Sequence, residues 1–260
     1  MSPTDELVPL LKKLRLSGLL NSLELRTTQA ADDSLSHPEF LLRLLSDEVE
    51  RRDARMLEQR IRRANFEHAK TLEDFDFLFN PAVPKSKVID LATCGFVLRR
   101  RNVILVGQSG VGKSHIAQAL GHRACLAGHK VLYVAAHDML KQLRSARGDG
   151  SYDRRLLRFT TPDLLIVDDL GLRPLKNDEP IDLYDIVRLR YERGSMIITS
   201  NRALNELPSI FGDPLLSSAA MDRLLDDAHV IVIEGDSYRN PPPNKRSAKR
   251  KRSRRKDKAA

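Results

Sequence analysis

The chain has 260 residues, 41% of them apolar, enough for a sizeable core; aromatics are only 5% and Trp is absent, so that core must be built from Leu, Val, Ile and Ala. Two cysteines, Cys94 and Cys125, exclude a disulfide framework and point to a reducing cytosol with both thiols as small core residues, and no apolar run approaches the roughly 20 residues of a membrane span. The formal net charge of +9 lies wholly in residues 241–260, with ten Lys or Arg and one Asp; residues 1–240 balance 34 bases against 34 acids, so the fold itself is neutral.

In chain order, the N-terminal MSPTDELVPLLKKL mixes acids and bases with apolar residues and lacks the cationic start and apolar centre of a signal peptide. Residues 1–70 read as a small helical N-terminal domain. Leu7, Leu10, Leu11, Leu14, Leu16, Leu19 and Leu20 recur near helical period, with Gly18 as the expected weak point. A long helix is expected from Pro38 through LLRLLSDEVERRDARMLEQRIRRANF. Its bases cluster late, at Arg51, Arg52, Arg55, Arg60, Arg62 and Arg63. They suit a phosphate backbone and suit a solvated helix face equally well.

From about residue 71 the texture changes. TLEDFDFLFNPAVP is a connector containing Phe and Pro, and beyond it short apolar runs alternate with helical stretches. The runs NVILVG, KVLYVAA, DLLIVDD, SMIITSN and VIVIEG predict five strands. Strands alternating with helices imply crossover units and a mostly parallel sheet, with helices on both faces to bury the uninterrupted apolar runs. Residues 71–240 form this α/β domain, and the tail from 241 to 260, with no apolar residue larger than Ala, is expected to be disordered.

One motif carries the chemistry. Gly107-Gln108-Ser109-Gly110-Val111-Gly112-Lys113-Ser114 has the P-loop spacing, with a predicted strand before it and a helix after it. The glycines let the backbone curl so that its N–H groups converge on phosphates, and the helix N-terminus adds partial positive charge. Lys113 then reaches the terminal phosphates of ATP and the Ser114 hydroxyl ligates Mg²⁺. DLLIVDD supplies the second half of the site: Asp168 holds Mg²⁺, and Asp169 orients or deprotonates the attacking water, or else only caps the following loop. SMIITSN ends in Asn201, placed either to reach the γ-phosphate or lytic water or to serve as a turn residue.

These elements in order are similar to the AAA+ branch of P-loop ATPases. With RIRRANFEHAKTLEDFDF, LLIVDDLGLRPL, RYERGSMIITSNRALNELPSIFGDPLL and MDRLLDDAHVIVIEGDSYR, residues 5–240 resemble the IstB family and, more distantly, the DnaC helicase loaders. The resemblance implies an AAA+ fold with a five-stranded parallel sheet. It also implies an ATPase that forms homo-oligomers on double-stranded DNA, deforms it, and recruits or stimulates the transposase of an insertion sequence. Asn201 matches the sensor 1 position, Arg239 the sensor 2 position, and Arg223 the arginine finger that reaches a neighbouring subunit's ATP. Arg223 has an alternative in an ion pair with Asp226 or Asp227 at helical spacing. The sequence departs from many relatives in having Asp169 for Glu, no Trp near position 207, and Asp226 and Asp227 where His is common.

The basic tail suits non-specific polyanion binding, without geometry for reading bases. His115, His122 and His129 recur every seven residues, about 10 Å apart on one helix, too far to share an ion, and read as surface residues. The rival functions are a helicase loader, which shares the ATPase core, and a small-molecule kinase, for which no acceptor pocket or lid is recognisable.

Overall fold

The computed structural model describes residues 3–241, so the basic tail beyond Pro241 lies outside the described residues. The chain divides by its internal contacts into a unit ending at Gln59 and a unit beginning at Arg60.

The first unit is helical: α1 (Pro3–Lys13), α2 (Ser17–Asp32) and the larger part of α3 (His37–Ala64). Its core is small, with Leu11, Leu19, Leu23 and Leu44 buried together. The chain breaks at Leu14–Leu16, where Arg15 takes φ 57°, and not at the expected Gly18. Gly18 instead sits in the first turn of α2, where a Cβ would come 2.8 Å from Glu48 Cα, so glycine is needed for the close approach of α3. Leu16 at the N-cap offers no side-chain acceptor. The buried Glu48 supplies one from α3, accepting the Gly18 N–H at 2.5 Å while Arg52 Nε donates to its other oxygen at 2.6 Å. A helix-end N–H that would otherwise lack a partner is thereby satisfied across the helix pair.

The second unit holds a five-stranded, all-parallel sheet: β1 (Val103–Val106), β2 (Val131–Ala135), β3 (Leu164–Asp168), β4 (Ser195–Ser200) and β5 (His229–Val232), in the order β2-β3-β4-β1-β5. Between and around them run α4 (Lys85–Leu91), α5 (Gly95–Leu98), α6 (Lys113–Leu126), α7 (Ala136–Gly148), α8 (Tyr152–Thr160), α9 (Glu179–Arg190), a 3-10 helix (Leu204–Ile210) and α10 (Pro214–Leu225). The five predicted strands are all present, and the fold is the parallel α/β sheet with helices on both faces that the apolar runs demand. Alternation along the strands divides the two faces. Ile104, Val106, Leu132, Val134, Leu165, Val167, Met196 and Ile198 pack with residues of α7, α8, α9 and α10, among them Leu143, Phe159, Ile186 and Leu224. Ile166 points to the other face, against Gly121 of α6.

Two features are not legible in the sequence pattern. The α8 sequence YDRRLLRFT carries four charges in nine residues, and Leu156 and Phe159 are its buried anchors. Arg190, at the end of α9, is 1% exposed and donates to the carbonyls of Phe159, Pro162, Asp163 and Ser195, tying the α8–β3 turn to β4. Burial pushes its guanidinium down to about 10. Among the described residues, no helix is long and apolar enough to cross a membrane.

Candidate nucleotide site

The strand order decides where the motifs meet. β3, β4 and β1 are neighbours, so the loop after β1, the acids ending β3 and the residue after β4 emerge side by side at the C-terminal edge of the sheet. This is where parallel α/β sheets place ligands.

The loop from Gly107 to Ser114 turns directly into α6, with Gly112 as its N-cap at φ 108°. A side chain there would be strained and would also lie 2.6 Å from the Phe75 ring. At Gly107, φ 149°, a Cβ would overlap the Ile233 carbonyl oxygen. The backbone therefore curls tightly around the first N–H groups of α6, which have no partner within the helix and form an anion cradle. Lys113 is buried, and its ammonium donates to Gly107 O at 2.7 Å, Gln108 O at 2.8 Å and Asn201 Oδ1 at 2.5 Å. Burial lowers its pKa, while Asp169 and Asp168 pull it back up.

Asp168 is buried at the end of β3. Its Oδ2 accepts from the Tyr133 hydroxyl of β2 at 2.6 Å, and its Oδ1 accepts from Thr199 Oγ1 of β4. Tyr133 is itself buried, and burial followed by the Asp168 carboxylate raises its pKa, so the phenol stays protonated and donates. Asp169 is half-buried with φ 56°, and its N–H donates to Thr199 Oγ1 at 2.9 Å. Burial, then the neighbouring Asp168 charge, raises the Asp169 pKa against the opposing pull of Lys113 and Arg239. A carboxylate raised in this way is a stronger base toward a water than an ordinary surface Asp.

The cavity at this edge measures about 770 Å³, large enough for a nucleotide. It is lined by Ser109, Gly110, Val111, Gly112, Lys113, Ser114, Asp168, Asp169, Asn201 and Arg239, so all the expected cis residues meet here, with Gly107 and Gln108 contributing carbonyls to Lys113. Part of the lining, packed against the phosphate loop, is not revealed by motif spacing. It comes from the connector, with Phe75, Phe79 and Asn80, and from Tyr238. Phe79 and Tyr238 meet edge to face at 4.8 Å, Asn80 Nδ2 donates to Glu234 O at 2.9 Å, and Tyr238 N donates to Gly110 O at 2.9 Å. The Phe-rich composition of the connector is the one available signal.

His115 also departs from the expectation of a surface residue. One ring nitrogen lies 2.8 Å from Thr71 O, the ring packs edge-on to Phe75 at 5.2 Å, and the side chain lines the cavity. His122 and His129 are half-buried, and His129 lies beyond the end of α6, so the three do not share one helix face.

Arg223 is elsewhere. It lies in the last turn of α10, next to Leu224, whose carbonyl accepts from Asn102 Nδ2 at 3.1 Å at the N-terminal edge of β1. Its guanidinium donates to Ala219 O at 2.7 Å and lies over the Tyr184 ring at 5.7 Å. The carboxylates considered for it have other partners: Asp227 pairs with Arg101 at 2.6 Å, and Asp226 accepts from the Tyr191 hydroxyl at 2.8 Å. A cavity of about 340 Å³ opens beside Arg223, lined also by Arg99, Arg100 and Arg101.

Among the described residues no cluster of three or more His, Cys, Asp or Glu side chains stands ready for a metal. The donors present, a Ser hydroxyl and one buried carboxylate beside a phosphate cradle, are hard oxygens. They fit Mg²⁺, which takes one or two carboxylates, retains waters and completes its shell with phosphate oxygens.

The family model described as "IstB-like ATP binding protein" matches residues 9–248. A Mycobacterium tuberculosis protein named for ATP binding and for an insertion sequence is 39% identical over 237 residues, covering 91% of this chain and 93% of its own length. A Pseudomonas aeruginosa protein, likewise named for ATP binding and for the insertion sequence IS21, is 38% identical over 234 residues, covering 90% and 88%. Among solved structures, the replication initiator DnaA bound to AMPPCP and single-stranded DNA shares the fold with a TM-score of 0.55 at 24% identity, over 66% of this chain and 52% of that one. DnaI does so with a TM-score of 0.53 at 22% identity, over 64% and 90%.

Proposed function

The chain belongs to the family of IstB-like ATP binding proteins, and from that premise we propose that it is the ATP-hydrolysing DNA helper of an insertion sequence. In this reading it binds ATP at the C-terminal edge of the sheet and assembles as a homo-oligomer on double-stranded DNA. There it remodels the DNA and recruits or stimulates the cognate transposase in the bacterial cytoplasm.

One observation carries the reading. The phosphate cradle, the Asp168–Asp169 pair, Asn201 and Arg239 share one cavity, while Arg223 stands at the other edge of the same sheet. Each residue then has a part. The Gly107–Ser114 backbone and Lys113 hold the phosphates. Ser114 and Asp168 would hold Mg²⁺, which would supply charge neutralisation at the phosphates. Asp169, with its raised pKa, orients and deprotonates the attacking water. Asn201, already hydrogen-bonded to Lys113, sits where the terminal phosphate is sensed, and Arg239 adds a positive charge that Lys113 and Asp169 both feel. Arg223 acts on the adjoining copy, where an arginine supplied in trans is worth roughly 10³–10⁵ in phosphoryl-transfer rate. Hydrolysis then depends on assembly.

Lys113→Ala tests the whole scheme. It is expected to abolish nucleotide binding and, with it, ATP-dependent assembly on DNA, measured by nucleotide titration and by the size of the DNA complex. A variant that still formed the same ATP-dependent complexes would refute the mechanism. A helicase-loader role would use the same fold and is separated by the partner, since such a protein would bind a replicative helicase and leave a transposase unstimulated. The two relatives compared above are both named for insertion sequences.

A further inference from the structure

We infer that Tyr133 and Thr199 are positioning residues for the hydrolysis proposed above, a hydroxyl clamp from the two strands flanking β3 that fixes both acids of the site. The inference rests on that ATPase reading and adds two residues outside the phosphate-loop, acid-pair and sensor motifs.

The clamp follows from the sheet register. Ala135 of β2 is the partner of Asp168, and Tyr133 stands opposite Ile166, two residues earlier on the same side of β2. Tyrosine is long enough to bring its hydroxyl up beside the carboxylate, and the contact is made at 2.6 Å. On the other side, β4 brings Thr199 to Asp168 Oδ1. Both hydroxyls donate, one to each carboxylate oxygen, so the side chain is held between two strands. Tyr133 is 2% exposed and Thr199 0%, so neither hydroxyl opens to bulk water, and the Glu67 carboxylate at the cavity is the other acceptor near the Tyr133 hydroxyl.

Thr199 has a second task. Its oxygen accepts the Asp169 N–H at 2.9 Å while its proton goes to Asp168. One hydroxyl therefore fixes the side chain of the first acid and the backbone of the second, at a residue whose φ of 56° a non-glycine seldom adopts. The Leu170 N–H, next in the chain, donates to Thr199 O at 2.9 Å and holds the turn from the other side. Orientation of a catalytic group within tight limits is worth orders of magnitude in rate, and it is supplied by neighbouring hydrogen bonds.

The experiment compares wild type with Tyr133→Phe, Thr199→Val and Thr199→Ser. Steady-state ATP turnover is measured with DNA present across a Mg²⁺ titration, nucleotide binding is measured in EDTA, and thermal melts are run alongside. Tyr133→Phe and Thr199→Val are expected to lower kcat by about tenfold or more, raise the half-saturating Mg²⁺ several-fold and leave KM for ATP and EDTA binding within about twofold. Thr199→Ser keeps the hydroxyl and is expected to restore most of kcat. Wild-type turnover with unchanged kcat and Mg²⁺ dependence in both hydroxyl-deleted variants overturns the clamp. So does a loss that tracks the melting temperature, or one that Thr199→Ser does not rescue. Wild type that binds ATP but never turns it over under any Mg²⁺ or DNA condition would instead overturn the ATPase reading, and the clamp with it.

Discussion

The arginine at the far edge of the sheet gives the most decisive prediction. Between Asn102, which holds the α10 end of the chain, and Gly107, which opens the phosphate loop, runs the whole of β1. Four residues at about 3.3 Å of rise put roughly 13 Å of packed sheet between Arg223's edge and the nucleotide cavity of the same chain. Arg223→Ala is therefore expected to leave ATP affinity unchanged and to lower turnover by about 10³-fold or more, equivalent to about 4 kcal/mol of transition-state stabilisation. Mixing gives the stricter test. Asp169→Asn keeps the phosphate cradle but removes the carboxylate proposed as the base, so it too should be inactive alone. In a random equimolar assembly of the two variants, half the sites carry an intact Asp169, and half of those face a subunit with an intact Arg223. Turnover should recover to about a quarter of the wild-type value per subunit. The assay is phosphate release at fixed total protein with DNA present. Turnover equal to the mean of the two inactive parents would refute action in trans. Full activity of Arg223→Ala alone would refute any catalytic part for it.

Four further expectations concern separate parts of the chain. Gly121→Ala places a methyl 2.5 Å from Ile166 Cδ1 and 2.8 Å from Phe66 Cε1, so overpacking of about 1–3 kcal/mol should outweigh a helix-propensity gain of about 1 kcal/mol. Its denaturant midpoint should fall, and an unchanged or higher midpoint would contradict the packing. Cys94 is 2% exposed and Cys125 0%, and burial pushes the Cys125 thiol up to about 11, so the folded protein at pH 8 should resist thiol reagents until denatured. Stoichiometric labelling of the native protein within minutes would count against the burial. Asp47, held at about 2 chiefly by the hydrogen bond from Arg26, has a depressed pKa. Its contribution to stability is full above the ordinary carboxylate pKa and is lost as pH falls toward 2. NMR titration should show that low midpoint and its return toward about 4 in Arg26→Met; a wild-type midpoint near 4 would remove the pair. Deleting residues 241–260 should flatten the salt dependence of DNA binding by about 0.9 in log–log slope for every phosphate that the tail neutralises, and an unchanged slope would make the tail a bystander.

The sequence exposes whatever its local pattern encodes and hides what adjacency across strands creates. The five strands stand out because each is a short apolar run bounded by polar residues, and the phosphate loop because its spacing is set by the need to curl a backbone around an anion. Burial of Cys94 and Cys125 follows from composition. By contrast, Tyr133 lies 35 residues from Asp168 and Thr199 lies 31 away, and only the order β2-β3-β4 brings their hydroxyls together. The Phe75–Phe79 wall depends on a connector with no periodicity, so the pattern gives no direction to its side chains. Gly18 is visible as a helix breaker but acts as a contact surface, because the residue it accommodates, Glu48, belongs to another helix.

Arg223 shows the same limit more sharply. Its helical spacing from Asp226 and Asp227 suits an ion pair, the alternative to the arginine-finger part that the resemblance implies. The fold gives those acids to Tyr191 and Arg101 and leaves Arg223 against a backbone carbonyl and an aromatic face. A guanidinium with no carboxylate partner among the described residues, in a cavity lined also by Arg99, Arg100, Arg101 and Arg190 and by the acids Glu192 and Asp226, keeps a charge that can meet an anion. Its own chain's phosphate site is out of reach along the length of β1. An adjoining copy that presents its C-terminal sheet edge to this one would bring a polyphosphate to that charge, and neither edge alone would then complete the chemistry.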